Sequence, residues 1–448
     1  MGKRVGILVV IAIVFLVGFF VRGITRVSGQ TGGIGSAWAA VPSEKGGSDQ
    51  LGPYEVVPDW PKPLSTLPNH EKWGYGAVQY VFAQNPNRVF ILERGELPDL
   101  PRPTAVPIPQ IGPSLSFPIS QYPIRNASQG PASSLPGNFG GGGPNPVPYE
   151  RNPHYVLAPD NPVYPGWKGR IGIDARWEHV IVVVDVNGNI LPETETWRKY
   201  ENLFGFPHYI GINPYDPEKH IWTVDAARHV IYKFTSDGSR LVQTIGQPNN
   251  PGHGPDQFNS PTFLAWLPDG TMLLADGYVN TRIVKFDNDG KYLTEWGQHG
   301  TPPHETRPGY FNLVHGLAVD PVTRHVFVVD RTNKRIQVFD ENGKFLDMWN
   351  SGAGTMYSIY YSDGKVWGAD ADTHRLIGWN TQGYLQYAFG GGGLWPGSTD
   401  GIHGVSVDQD GTLYTSDVFL GRAAKYRPRR GANPNYLVGR PVYSAWKD

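Results

Sequence analysis

Residues 272–296 read MLLADGYVNTRIVKFDNDGKYLTEW. An apolar strand ends in Asp276, a short loop follows, a second apolar strand ends in Phe286, and Asp289-Gly290 turns the chain into a further strand. From Gly205 onward this pattern recurs, each copy preceded by one more apolar strand. The strand-ending Asp falls at Asp225, Asp276, Asp330, Asp370 and Asp417, with separations of 51, 54, 40 and 47 residues. Nine or ten residues beyond each Asp stands an aromatic: Phe234, Phe286, Phe339, Trp379 and Tyr426. That period suits four-stranded propeller blades and exceeds the ~20–35 residues of most solenoid repeats. Asp237-Gly238, Asp289-Gly290 and Asn342-Gly343 stand where tight hairpins need positive φ.

Working outward, a sixth copy emerges upstream in two pieces. Arg88–Arg94 (RVFILER) matches the second strand of the other copies, and His179–Leu191 (HVIVVVDVNGNIL) matches their third strand, turn and fourth strand. Residues 95–178 between them are dominated by Pro, Gly, Asn and Ser, which predicts a mostly irregular insertion in the first blade. The last copy lacks an outer strand of its own. Tyr54–Trp60 is the expected donor, and closure through it leaves no exposed sheet edge. The fold expected is therefore all-β, a six-bladed propeller over residues 73–430. A linker covers 31–72 and a C-terminal extension covers 431–448.

Composition agrees with turn-rich β structure: 56 Gly, 41 Pro, 12% aromatic and only 18% charged residues. Lys plus Arg number 39 against 40 Asp plus Glu, so no global field draws nucleic acid. Without cysteine, the chain has neither disulfides nor thiolate ligands, and any metal must use His or carboxylates. At the N-terminus, Lys3 and Arg4 precede an unbroken apolar run, Val5 to Val21, followed by Arg22 and Arg26. Residues 1–30 are read as an export signal. A retained signal-anchor is the reading preferred, because Ala37-Trp38-Ala39 lies far downstream for a cleavage site, and a cleaved signal is the alternative. Either way the propeller is expected outside the cytoplasm, membrane-anchored, secreted or periplasmic.

The opening residue of each innermost strand faces the channel. It reads His208 in FPHYIGI, Thr262 in SPTFLAW, His315 in LVHGLAV, Ser358 in MYSIYY and His403 in GIHGVSV. Histidine thus occupies every second blade, and alternate blades of a six-fold ring stand about 120° apart. Three imidazoles converging on the axis with open positions are what a zinc site needs, and other divalent ions with an imidazole preference fit as well. The repeated Asp residues occur in every blade and read as turn hydrogen-bonders. Just beyond them the blades differ: Arg94, Tyr278 and Arg331 fall where a second strand ends beside the start of a first. They are expected on the histidine rim as a cationic, phenol-bearing pocket. The insertion begins at the same strand end and reads as a lid or partner-binding cover.

These segments resemble the NHL-repeat propellers and, within them, the peptidyl-α-hydroxyglycine α-amidating lyases (peptidylamidoglycolate lyases), over most of residues 73 to 430. The resemblance rests on FPHYIGI, ADGYVNTRIVKF, FNLVHGLAVD, VDRTNKRIQVF and GIHGVSVDQDGTLYTSD. It implies a zinc lyase that splits the C–N bond of a carbinolamide into an amide and glyoxylate. His208, His315 and His403 would hold zinc, Tyr278 would take the hydroxyl proton, and Arg331 and Arg94 would neutralise the substrate carboxylate and hold the phenol ionised. The implied substrate is a small or peptide-like molecule. Departures from the pattern are Ile402 in place of a methionine and Gly404 in place of an Asp of a structural calcium site, which leaves calcium doubtful. The competing reading is a non-catalytic propeller displaying a binding surface outside the cell, with 95–178 as its contact element. A surface-assembly subunit using that insertion or Tyr436–Trp446 is a further one.

Overall fold

The computed structural model describes residues 39–44, 50–98, 106–107, 116–117, 176–302, 305–352, 354–393 and 395–440. Six sheets are arranged around one axis. The second to fifth are four-stranded, with innermost strands Pro207–Ile212, Leu264–Trp266, Val314–Val319 and Met356–Ser362. The sixth comprises Ile402–Val407, Leu413–Asp417 and Arg422–Pro428, completed by Tyr54–Val56, which pairs antiparallel with the last of these. The first comprises Val78–Asn85, Arg88–Glu93 and Ile181–Val184. The fourth strand expected there contracts to a single bridge, Val184 to Ile190, because the chain turns at once into the short helix Thr194–Trp197.

Each second strand is sandwiched between neighbouring blades, so both of its faces are covered. This is why Val326–Asp330 (VFVVD) and Met272–Asp276 (MLLAD) read as continuous apolar runs and are buried at every position. Outer strands such as Tyr292–Trp296 face water on one side and carry polar residues accordingly. The repeated Asp residues brace the blades. Asp225, fully buried, accepts from the amides of Gly205, Phe206 and Arg228, tying the entry to the innermost strand to the turn after the second. Asp417 likewise accepts from the amides of Asp400, Gly401 and Leu420. The first blade uses Glu93, which accepts from the Gly76 amide at 2.7 Å.

The apolar run Val5 to Val21 lies outside the described residues, and among those described no helix is long and apolar enough to cross a membrane. Most of the 95–178 insertion also lies outside them. Its first residues are regular: Glu96–Pro98 pairs with Trp73–Tyr75, and Glu96 bridges to Arg176 where the chain returns. In the C-terminal extension, Tyr436 is buried and stacks on Tyr387 of the fifth blade at 4.3 Å and 12°, so this ring packs within its own chain instead of being offered to a neighbour. The Val438 amide donates to the Tyr54 hydroxyl at 2.8 Å. Residues 441–448 lie outside the described residues.

Candidate metal centre

The innermost strands share one irregularity. In the second blade Tyr209 pairs with Val224 and Pro207 with Asp225, so His208 is an extra residue that no partner faces. The same bulge isolates Gln79 in the first blade, Tyr357 in the fifth and His403 in the sixth, and the register breaks at His315 in the fourth. In the third blade, backbone bonds between Thr262, Phe263 and Ala275 put Thr262 at the equivalent place. A bulge bends its strand and re-aims a side chain. Here five such breaks, with the matching backbone bonds of Thr262 in the third blade, set one residue per blade at the same level of the channel. Ser358, expected at this position, is instead paired with Ala369, and the ring member is Tyr357.

His208, His315 and His403 meet on the axis. Their ring centroids are 4.8, 4.8 and 5.1 Å apart, and one nitrogen of each lies within 4.8 Å of the other two. The other nitrogens point outward. His208 Nδ1 faces the Thr262 carbonyl at 3.0 Å, His403 Nδ1 the Gln79 carbonyl at 2.7 Å, and His315 Nδ1 the Tyr357 carbonyl. A carbonyl only accepts, so each Nδ1 carries the proton and donates, and each Nε2 keeps its lone pair toward the axis. The six-fold ring thus alternates between an imidazole from an even blade and a main-chain carbonyl from an odd one. Below the rings Phe263 packs at 5.2, 5.2 and 5.7 Å and separates them from an aromatic cavity lined by Tyr80, Tyr209 and Trp266.

Burial is the first cause holding all three imidazoles below their ordinary range. The neighbouring rings and the guanidiniums of Arg94 and Arg331 add to it, and His403 is pushed down to about 3. The rings are therefore neutral near pH 7, the form a metal needs. In nitrogen-15 spectra of chelator-treated protein the three rings are expected as Nδ1-protonated tautomers that do not titrate between pH 8 and 5. A midpoint near 6.5 would contradict this arrangement.

Tyr278, Arg94 and Arg331 converge on the same end of the channel. The Tyr278 hydroxyl lies 3.0 Å from Nε2 of both His208 and His315. Arg331 lies over the Tyr357 ring at 4.0 Å and hydrogen-bonds the Tyr278 phenol. Arg94, buried, lies over the Phe206 ring at 3.4 Å, and Phe206 stacks beside His208. Among protein groups alone, burial of the phenol outweighs both guanidiniums and holds its pKa above the ordinary tyrosine range. The two arginines therefore do not by themselves ionise it.

Gly277 brings Tyr278 inward, because a Cβ at this position would stand 1.5 Å from the Val314 carbonyl oxygen. Gly277→Ala is expected to cost about 1–3 kcal/mol and to push Tyr278 off the histidines. Thermal melts read the first effect, and loss of the Tyr278 contribution to activity reads the second. At position 404, a Cβ would meet the Tyr80 ring at 2.6 Å. The place corresponding to a calcium-binding Asp therefore has neither a carboxylate nor room for one, and calcium does not fit there. Zinc or a similar ion does fit three buried, neutral imidazoles whose lone pairs face one another.

Comparison with known proteins places these features. Residues 311–339, the innermost to third strands of the fourth blade, match the NHL repeat family. The chain is a six-bladed propeller carrying an NHL repeat. Over 270 residues it is 28% identical to the peptidylglycine alpha-amidating monooxygenase of Rattus norvegicus, a match covering 57% of this chain and 26% of that one. The peptidyl-alpha-hydroxyglycine alpha-amidating lyase 1 of Drosophila melanogaster is 33% identical over 161 residues, covering 35% of this chain and 29% of that one. NHL repeat-containing protein 3 of Mus musculus is 36% identical over 163 residues, covering 34% and 45%. The chain thus spans less than half the length of each relative.

Proposed function

We propose that this protein is a metal-dependent carbon–nitrogen lyase of the amidating-lyase type, acting outside the cytoplasm on a small or peptide-like carbinolamide. One observation carries the reading: the Tyr278 hydroxyl sits 3.0 Å from two imidazoles of a three-histidine centre, with Arg331 on the phenol. The relatives named for this lyase point the same way. The charged, apolar N-terminal run from Lys3 to Arg26 supports export and a membrane anchor if it is retained.

His208, His315 and His403 would hold the ion, zinc being the one their donor set suits best. When bound, it supplies Lewis-acid polarisation of a substrate oxygen and lowers the hydroxyl pKa. Arg331 and Arg94 attract and orient the substrate carboxylate. Tyr278, which the two arginines alone leave protonated and which the added charge of the ion would ionise, takes the proton from the carbinol hydroxyl. As that oxygen becomes a carbonyl, the C–N bond breaks and its electron pair stays on the amide nitrogen. The nitrogen takes up the proton that Tyr278 removed, leaving a primary amide, glyoxylate and the phenolate restored, so the overall reaction neither takes up nor releases a proton. Phe263 closes the channel beneath the imidazoles, which keeps bulk water from that side.

Zinc-loaded full-length protein is expected to release glyoxylate from an N-acyl-α-hydroxyglycine, to lose this activity on chelation and to regain it with added zinc. Zinc uptake at the axis without glyoxylate release would overturn the lyase reading. It would favour the second one, a non-catalytic extracellular propeller carrying an NHL repeat.

A further inference from the structure

Away from the axis, a second group of metal-ligating side chains gathers where the long insertion leaves and rejoins the first blade. Glu96, on the departing strand, is fully buried, and its two carboxylate oxygens face two imidazoles: His70 Nδ1 at 2.7 Å and His179 Nδ1 at 2.6 Å. A carboxylate accepts, so both Nδ1 atoms donate; His179 Nε2 also donates to the Glu195 carboxylate, a proton that a bound metal would displace, and His70 Nε2 faces Glu178. His70 Nε2 stands 3.7 Å from Glu178 Oε2, and His179 Nε2 stands 3.3 Å from Glu195 Oε1. The two rings are 4.7 Å apart, and His70, Glu178 and His179 each offer a ligand atom within 4.8 Å of the others.

We propose that His70, His179 and Glu178 bind a divalent transition metal of the zinc type, with Glu96 holding both imidazoles from behind. Three features support it. A carboxylate behind a metal-binding imidazole is the usual device for fixing its tautomer and raising its basicity, and here one buried carboxylate serves two rings. Ligands about 2.1 Å from a tetrahedral zinc stand about 3.4 Å from one another, close to the 3.7 Å between His70 Nε2 and Glu178 Oε2, and all three ligand atoms lie within 4.8 Å of one another. Charge agrees as well. The carboxylates of Glu96, Glu178, Glu195 and Glu201 gather around the two rings, while Arg198, the guanidinium among them, pairs with Glu178 at 2.9 Å and Glu195 at 3.3 Å. A divalent ion that displaces the His179 Nε2 proton would still add one positive charge to the cluster. Glu178 is a third exposed, which gives an ion a way in. Bound there, the metal joins residue 70 to residues 178–179 and fastens the root of the insertion. This site is independent of the axial one and of the lyase reading.

The test is zinc stoichiometry on chelator-stripped full-length protein, by equilibrium dialysis with elemental analysis. Two equivalents are expected for the wild type and one for His315→Gln, which lacks only the axial site. In the His315→Gln background, His70→Gln should abolish the remaining equivalent. Glu178→Gln, at a partly exposed position that does not threaten folding, should weaken it at least tenfold. Failure of His315→Gln protein to take up zinc would overturn the proposal. So would uptake that His70→Gln and Glu178→Gln leave unchanged, because the imidazoles would then be partners of the carboxylates only.

Discussion

His315→Gln protein is expected to lose the axial equivalent of zinc and all zinc-dependent activity. Even a residue that only orients a ligand changes metal affinity about 10–100-fold, so losing one of three ligands should exceed a hundredfold. His315 is fully buried, and its Nδ1 is anchored by the Tyr357 carbonyl, so its Nε2 is held toward the axis. The loss should also appear in stability. A ligand present at a hundred times its dissociation constant stabilises the folded chain by about 2.7 kcal/mol. Zinc should therefore raise the melting temperature of the wild type more than that of the variant. The same result is expected for His208→Gln and His403→Gln, because the three rings are equivalent by blade position.

Tyr278→Phe separates binding from chemistry. The phenol stands against two Nε2 atoms, the very lone pairs an axial ion would use, so removing its hydroxyl takes away a competitor and no ligand of the three-histidine set. Axial zinc affinity is expected to stay equal or rise. Turnover should fall about 10²–10⁴-fold, the range for losing a positioned proton acceptor. Arg331→Ala takes a hydrogen bond and a positive charge from the phenol and a partner from the substrate carboxylate, so kcat should fall, KM should rise, and the acid limb of the pH profile, set by the phenol as base, should move up. A Tyr278→Phe protein with wild-type turnover would remove the phenol from the reaction.

Much of this architecture was legible because the sequence repeats. The five Asp residues set the frame, and histidine at alternate frames foretold three rings converging on one point. What the frame hid is local geometry. Counting along an ideal strand points to Ser358 and not Tyr357, because it does not include the residue that a bulge adds. The carbonyls of Gln79, Thr262 and Tyr357 belong to the main chain, so no residue type marks their task. Two arginines beside Tyr278 point to an ionised phenol, but a sequence does not show how deeply a phenol is buried. The His70, Glu96, Glu178 and His179 cluster lies outside the repeat and spans the insertion, so neither spacing nor period could have assembled it.

The most direct test is a crystal of zinc-loaded protein measured at the zinc absorption edge. An anomalous peak is expected on the propeller axis, about 2.0–2.1 Å from Nε2 of His208, His315 and His403 alike. An axis without that peak, under conditions where the protein is saturated with zinc, would contradict a metal site there.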